Sequence, residues 1–225
     1  MATLHAKAWL SLVAMAVVMG LLLFLSAGSI RYWQAWIYLT LFFGLSAAIT
    51  RDLLRRDPTL LERRMKGGPT AEPRPRQRII MLGASVGFIS LLLVPALDFR
   101  FRWSAVPIGG VLLGDALLVL GFGFTGRVYR ENTYTSATIE VYRGQQVIST
   151  GPYAVVRHPL YASALLYLLG TPLALGSYWG LLALVFMLPF LVWRLVDEEQ
   201  VLARELPGYV DYRARVRYRL LPGIW

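Results

Sequence analysis

The chain has 225 residues, of which 56% are hydrophobic and 16% are charged, and its formal net charge is +10. A soluble domain is rarely this apolar. Apolar segments also recur that approach the roughly 20 residues of a membrane-spanning helix, so we predict an integral membrane protein. Cysteine is absent, which excludes a disulfide framework, a thiolate nucleophile and a cysteine-type zinc site.

Four apolar runs occupy the first part of the chain. The run 9–27 follows Lys7 and precedes the letters SAGS, as in a signal peptide, but its length and the apolar segments after it favour a retained helix. The second run covers 33–49. The third and fourth, 79–97 and 105–124, are joined by the short stretch DFRFRWS, which predicts a helical hairpin.

A polar segment, 51–78, separates the second and third runs. It carries nine Lys or Arg residues against four acids. Its proline and glycine residues interrupt any long helix, so the segment predicts a short interfacial helix and a loop on the cytoplasmic face.

The apolar segment 160–195 is too long for one span. The letters GTPLALGSYWG interrupt it with glycine and proline, which disfavour a continuous helix and predict a tight reversal near residues 172–178. The sequence therefore predicts an all-α single membrane domain, 1–225, with about six transmembrane helices. Four spans lie in 1–124, and a core with a C-terminal helical hairpin lies in 125–225.

The basic residues predict the orientation. With both termini inside, 20 of the 23 Lys and Arg residues lie on the cytoplasmic side, and the exceptions are Arg31, Arg100 and Arg102. This distribution is typical of the positive-inside rule, so we predict membrane lipids and no nucleic acid as partners. The same orientation places the polar segments 125–158 and 194–225 side by side, and a site is expected between them.

The first constellation is GPYAVVRHPLYAS, which begins at Gly151. Its Gly-Pro pair ends the strand-like stretch QQVIST, and Pro159 suits the first turn of a helix. The free amides of that turn, beside Arg157 and His158, predict a receptor for a carboxylate or phosphate. The alternative is an interfacial Arg and His at a helix end, with Tyr153 and Tyr161 in an aromatic belt.

The second constellation begins at Trp193 and continues to the end of the chain. As a helix, it places Glu199 on an apolar stripe, where a carboxylate must pair with a cation or a ligand. A partner among the arginines of the tail is the favoured interpretation. Arg194 and Glu198, four residues apart, predict a surface ion pair.

Together, GPYAVVRHPLYAS and DEEQVLARELPGYVDYRARVRYRLLPGIW resemble the isoprenylcysteine carboxyl methyltransferase family, in its bacterial branch. The resemblance covers roughly 132–225 and is weaker over the first four spans. It implies a membrane-embedded methyltransferase that uses S-adenosylmethionine, with its cofactor pocket on the cytoplasmic side of a bacterial inner membrane.

The resemblance also implies roles for particular residues. The cofactor pocket would be formed by Gln146, Val147, Gly151, Tyr153, Arg157, His158, Pro159, Tyr161, Glu198, Glu199, Tyr209 and Tyr212. Within it, His158 and the amides near Tyr161 would hold the methionine carboxylate, and Glu199 the cationic part of the cofactor. Arg194 would face an acidic acceptor, so Arg194 and Glu199 are the candidate catalytic residues.

Two positions depart from the family pattern. Gln146 stands where relatives often have histidine, and it can form hydrogen bonds but cannot titrate. Ser163 stands where many relatives have glycine, which predicts narrower helix packing there.

The acceptor implied by the resemblance is a lipophilic or prenylated molecule, entering by a lateral opening near the last hairpin. Glycines such as Gly170 could instead serve close helix packing. A lipid N-methyltransferase and a sterol-type, NADPH-dependent reductase are the alternative activities. A small transporter is also open, although Asp115 is the only clear ionisable residue within a predicted span.

Overall fold

The computed structural model describes residues 2–72 and 74–225, apart from the side chain of Ala2, and these residues contain no β-strand. The stretch QQVIST, predicted to be strand-like, is irregular. The helices are α1 (Ala2–Ala27), α2 (Trp33–Arg56), α3 (Pro58–Met65), α4 (Pro75–Phe101), α5 (Ile108–Glu131), α6 (Pro159–Ala174), α7 (Gly180–Glu205) and α8 (Tyr209–Arg215), with a 3₁₀ turn at Gly151–Ala154. The all-α prediction is confirmed.

Five of the described helices are long and apolar enough to cross a membrane: α1, α2, α4, α5 and α7. The apolar helix α6 has 16 residues, about 24 Å at 1.5 Å per residue, and forms the predicted hairpin with α7. The bundle exposes large apolar side chains, such as Leu10 at 70% and Leu25 at 71%. A surface of this kind fits a lipid environment, and the chain is an all-α integral membrane protein.

The helices extend beyond the apolar runs of the sequence. Helix α2 continues to Arg56 and α5 to Glu131, so their last turns carry charged residues. Helix α3 lies within the polar segment, as predicted. Its N-cap is Asp57, whose carboxylate accepts a hydrogen bond from the backbone amide of Leu60 at 2.9 Å.

The predicted hairpin of the third and fourth spans is wrong as a packing unit. Helices α4 and α5 are joined by a short loop but do not pack along their lengths. Helix α4 packs chiefly on α7 and α1, whereas α5 packs chiefly on α6 and α2. The short connection keeps only one end of α4 close to one end of α5. The shapes of the helix faces determine which other helices each of them packs against.

Glycines allow α5 and α6 to approach closely. A Cβ atom on Gly114 would lie 2.2 Å from the backbone nitrogen of Ala174, and one on Gly170 would lie 2.6 Å from the carbonyl oxygen of Gly114. Gly170 therefore has the packing role. Ser163, fully buried in the same interface, is 2.9 Å from the hydroxyl oxygen of Thr125. The serine thus links the two helices.

Gly114→Ala is expected to destabilise the protein by about 1–3 kcal/mol, the usual cost of overpacking. The added methyl group has no space beside Ala174, so α5 and α6 must separate. The matched control is Gly123→Ala on the same helix, where no atom lies within 4 Å of an added Cβ. Thermal unfolding in detergent would check the difference, and equal melting temperatures for the two variants would contradict it.

The other end of the bundle is tied together by Asp98 of α4. Its carboxylate accepts hydrogen bonds from the backbone amide of Ser104 at 2.7 Å, from the hydroxyl of the same serine at 2.6 Å, and from the hydroxyl of Ser177. Ser177 follows Gly176 in the reversal between α6 and α7, where Gly176 has φ +73°. The reversal lies where the sequence predicted it, and Asp98 connects it to the loop before α5.

Candidate functional site: an amphipathic cavity

A cavity of about 850 Å³ runs from the polar end of the bundle, where 125–158 and the C-terminal segment meet, into its apolar interior. All of the described helices contribute to its lining, and so does the irregular segment 132–148. The apolar part is lined by residues of both halves of the chain, including Leu12, Met15, Phe42, Met81, Phe88, Phe122, Met187 and Leu191. The cavity therefore offers one polar and one apolar environment in a single space.

One face of α7 passes from the polar part to the apolar part. Leu202, Glu198, Arg194, Leu191 and Met187 follow one another at spacings of three or four residues, and each lines the cavity. Glu198 and Arg194 are thus one turn apart, with Arg194 next to the apolar part. This order places the guanidinium at the boundary between the two environments.

The structure brings most of the predicted site residues together. The cavity is lined by Gln146, Val147, Tyr153, Arg157, His158, Pro159, Tyr161, Arg194, Glu198, Tyr209 and Tyr212. Gly151 and Glu199 are not among the lining residues. The combined motifs therefore identified the walls of one cavity, and the two exceptions have structural roles.

Gly151 forms a turn and is not among the residues that line the cavity. Its φ is +55°, and an added Cβ would lie 2.6 Å from Oε2 of Glu131. The hydroxyl of Thr150 donates a hydrogen bond to the same carboxylate at 2.5 Å. The turn therefore contacts the end of α5, and the pocket role implied for Gly151 stays a prediction.

Glu199 is the centre of a buried charge cluster. Its Oε1 lies 2.6 Å from Nε of Arg157, and its Oε2 lies 2.8 Å from Nε of Arg219 in the tail. The side chains of Arg157 and Glu199 are 5% and 4% exposed. The interpretation that Glu199 pairs with a tail arginine is confirmed. Its predicted contact with the cationic part of a cofactor is not supported, because both carboxylate oxygens already face cations.

Arg157 attaches the tail to the turn before α6. Its Nη1 donates to the carbonyl oxygens of Val216 and Arg217, each at 2.8 Å. The backbone amides of Arg157 and His158 donate to the carbonyls of Tyr218 and Arg219, each at 2.9 Å. Because the tail follows α8, these bonds also secure the helix that supplies the two tyrosines of the cavity.

Two buried polar atoms in the cavity wall have no hydrogen-bond partner among the described residues, Nε2 of His158 and the hydroxyl of Tyr209. The His158 nitrogen lies 3.3 Å from Oε1 of Glu199 but without the alignment of a hydrogen bond. Buried polar atoms are rarely left unpartnered, and both residues line the cavity. The adjacent amides of Leu160 and Tyr161 also donate to no carbonyl oxygen of the described chain.

The tyrosines at this end remain neutral at physiological pH. Burial raises the pKa of Tyr153 and of Tyr212 above the usual range, and the hydroxyl of Tyr212 donates to the carbonyl of Tyr153 at 2.7 Å. Burial and then the carboxylate of Glu199 raise the pKa of Tyr209. Tyr209 is therefore a neutral hydroxyl and a hydrogen-bonding group, not a base.

Arg194 is buried, and the predicted surface ion pair with Glu198 is wrong. Its Nη1 lies 2.7 Å from Oε1 of Glu72 and donates to Oε1 of Gln77 at 2.9 Å. Its Nη2 donates to the carbonyl of Ala137 at 2.7 Å. These groups hold the guanidinium, and no nitrogen of Arg194 lies within 4.0 Å of the Glu198 carboxylate.

Glu198 instead faces Tyr161 across the cavity. The tyrosine hydroxyl donates to Oε2 of Glu198 at 2.6 Å. No Lys, Arg or His nitrogen of the described residues lies within 4.0 Å of this carboxylate, in contrast to Glu199. Of the acidic pair, Glu198 is thus the member available to a ligand.

Sequence reasoning missed the contribution of the polar segment 51–78. Glu72 and Gln77 hold Arg194, and α3 holds the cavity wall through Arg63 and Arg64, which donate to the carbonyls of Thr133 and Ser136. These residues lie among many charges, and no local pattern distinguishes them. Only the folded arrangement of distant segments reveals their role.

Residues of the apolar lining differ in how far they are exposed on the surface of the bundle. Among its lining residues, Met15 of α1 and Ile89 of α4 are exposed, at 39% and 50%. The hairpin residues Leu168 and Met187 are buried. Helices α1 and α4 pack on one another, and the lateral opening near the hairpin stays a prediction.

The fold and the cavity define an all-α membrane protein whose interior cavity has polar lining residues at one end and apolar ones at the other. Residues 110–207 match the phospholipid methyltransferase family, a family of membrane methyltransferases. The nickel-cobalt-cadmium resistance protein NccN of Alcaligenes xylosoxydans xylosoxydans is 27% identical over 130 residues, 56% of this chain and 58% of that protein. These comparisons support a membrane methyltransferase and do not single out the isoprenylcysteine enzymes.

Proposed function

We propose that the protein is an S-adenosylmethionine-dependent methyltransferase acting on a lipophilic acceptor, most simply the carboxylate of an isoprenylcysteine-like molecule. The observation that carries the proposal is the single cavity with unpartnered polar atoms at one end and an apolar lining at the other. The match of residues 110–207 to a membrane methyltransferase family supports it independently.

The polar end fits the donor. A sulfonium donor with an amino acid group carries a negative carboxylate and positive groups, and the cavity wall supplies a partner for each charge. Nε2 of His158 and the amides of Leu160 and Tyr161 suit a carboxylate, and Glu198 suits the cationic part. The hydroxyl of Tyr209 supplies a further hydrogen bond. These residues would hold the donor, whose sulfonium supplies the methyl group. Transfer of that group to a carboxylate would convert the sulfonium to a neutral thioether and the carboxylate to a neutral ester.

The boundary between the two environments fits the acceptor's reacting group. Arg194 lies there, and a guanidinium is suited to orienting a carboxylate. The lipophilic part would extend past Leu191 and Met187 into the apolar part of the cavity. A carboxylate is already ionised at neutral pH, so the residues need to position the acceptor and exclude water, not remove a proton. Placement of this kind contributes up to about 7–11 kcal/mol.

A lipid amine is the second candidate acceptor. The match to the phospholipid methyltransferase family favours it. Glu198, hydrogen-bonded to Tyr161 and facing the cavity, would then serve as the proton acceptor, because Glu199 is occupied by arginines.

Purified protein in detergent is expected to bind S-adenosylmethionine, and NADPH should not displace it. His158→Ala removes a buried group that the fold leaves unpartnered, so cofactor affinity should fall by about tenfold, or 1.4 kcal/mol. Isothermal titration calorimetry with NADPH as competitor checks both points. Displacement by NADPH would favour the reductase alternative.

Tyr209→Phe separates a ligand contact from a structural one. The hydroxyl has no hydrogen-bond partner among the residues that the structure describes, so its removal should leave the melting temperature unchanged. Cofactor affinity should nevertheless fall several-fold. The matched control is Tyr218→Phe, on the exposed tail and outside the cavity lining, which should change neither quantity.

A further inference from the structure

We propose that Glu72 occupies the place on Arg194 that the acceptor's carboxylate takes during the reaction, so that the two carboxylates exchange on one guanidinium. This proposal rests on the proposed function and deepens it by naming a residue that selects the charge of the acceptor. Glu72 lies before α4, outside the residues that match the methyltransferase family.

The carboxylate of Glu72 is held by one ion pair and by few other contacts. The side chain of Glu72 is 1% exposed, and Oε1 lies 2.7 Å from Nη1 of Arg194. Neither carboxylate oxygen has an aligned hydrogen bond within the part of the chain that the structure describes. A buried carboxylate normally combines its ion pair with several hydrogen bonds. Glu72 is therefore a replaceable partner.

Arg194, by contrast, is fixed independently of Glu72. Its aligned hydrogen bonds go to Gln77 and to the carbonyl of Ala137. The guanidinium has five N–H donors, so these bonds leave some for a carboxylate. Arg194 thus stays in position when its acidic partner changes.

A second cation stands beside Glu72. Nε of Arg78 donates to the backbone carbonyl of Glu72 at 2.8 Å, and its side chain is exposed. No carboxylate of the described residues lies within 4.0 Å of the Arg78 guanidinium, whereas Arg74 and Arg76 each have an acidic partner. The displaced carboxylate of Glu72 would therefore find a cation nearby, which lowers the cost of the exchange.

The exchange accounts for the positive charge of Arg194 at the edge of an apolar cavity when no acceptor is bound. Glu72 neutralises Arg194 when no acceptor is bound, so no buried charge is left alone. An arriving carboxylate takes its place. Methylation removes the acceptor's charge, after which Glu72 regains Arg194 without competition and the neutral ester is released. Carboxylate acceptors are thereby distinguished from their esters.

The test is binding of an N-acetyl-S-prenylcysteine and of its methyl ester to the full chain in detergent. Glu72→Gln removes the competing charge, so the carboxylate should bind about tenfold more tightly, a change worth 1.4 kcal/mol. Affinity for the ester should stay within about twofold. Glu205→Gln is the matched control: it removes an exposed carboxylate paired with Arg74, outside the cavity, and should change neither affinity.

If Glu72→Gln folds poorly, the melting temperatures of the same samples, measured with and without each probe, still test the proposal. The variant leaves Arg194 unpaired, so the carboxylate probe should raise its melting temperature more than that of the wild type, and the ester should not. Glu72→Asp, which keeps the charge on a shorter side chain, should give an intermediate gain in affinity. Unchanged or weaker binding of the carboxylate by both variants would overturn the role of Glu72.

Binding of S-adenosylmethionine to the same samples separates this proposal from the function on which it rests. If the wild type binds cofactor and carboxylate probe and the variants gain no affinity, only the role of Glu72 is overturned. If the wild type binds neither molecule, the proposed function fails, and the exchange on Arg194 fails with it.

Discussion

Glu199→Gln is expected to lower the free energy of unfolding by about 3–5 kcal/mol, because removing one partner of a buried ion pair leaves an uncompensated charge. The cation left behind is Arg157, 5% exposed and 2.6 Å from the lost charge. The substitution keeps the size of the side chain, so the effect should come from charge alone. Whole-domain stability is usually about 5–15 kcal/mol, which makes this a large change.

The loss should be localised at the tail before the whole bundle unfolds. Arg219 is held by Glu199, and Arg157 holds the carbonyls of Val216 and Arg217. Trypsin should therefore cleave near residue 217 faster in the variant than in the wild type, and cofactor binding should weaken as Tyr209 and Tyr212 lose their support. Mass spectrometry of the fragments identifies the site.

Glu205→Gln is the appropriate control for this experiment also. It breaks an exposed ion pair on the same helix, where Arg74 and Glu205 are 39% and 47% exposed. Such pairs contribute about 0–1 kcal/mol. Equal stability and equal tail cleavage in the two variants would show that Glu199 is not the anchor of the tail.

Much of the membrane architecture could be predicted from the sequence. Hydropathy located the spans and the reversal before α7, because both are set by local composition. It failed for the partners of α4 and α5. Close packing of Gly114 on α6 depends on which helix faces are complementary in shape, and a single sequence contains no direct signal of that pairing.

The location of the site was predicted from the sequence, but the separate roles of its residues were not. The motifs around His158 and Glu198 lie on the cavity wall, as the membrane orientation and the family resemblance implied. The sequence could not separate the two members of the acidic pair. Adjacent residues on a helix point about 100° apart, so Glu199 faces the tail arginines while Glu198 faces the cavity. Assigning each face required the positions of α6 and the tail.

Arg194 is expected to determine turnover of a carboxylate acceptor while contributing little to cofactor binding. Hydrogen bonds to charged groups are worth about 1.5–3 kcal/mol, so losing the guanidinium should lower kcat/KM for the acceptor by about 10- to 100-fold. The His158 nitrogen and the Tyr209 hydroxyl form no hydrogen bond with Arg194, so the Kd for S-adenosylmethionine should change by less than about threefold.

The single variant Arg194→Gln would leave Glu72 buried without a partner, and a loss of activity could then reflect unfolding. The double variant Glu72→Gln, Arg194→Gln removes both charges together and keeps a polar group beside Gln77 and Ala137. Because the buried site stays neutral, the double variant should melt closer to the wild type than the single variant does. It should bind cofactor normally and bind the carboxylate probe and its methyl ester with similar affinity. A retained preference for the carboxylate would mean that another cation, not Arg194, recognises the acceptor.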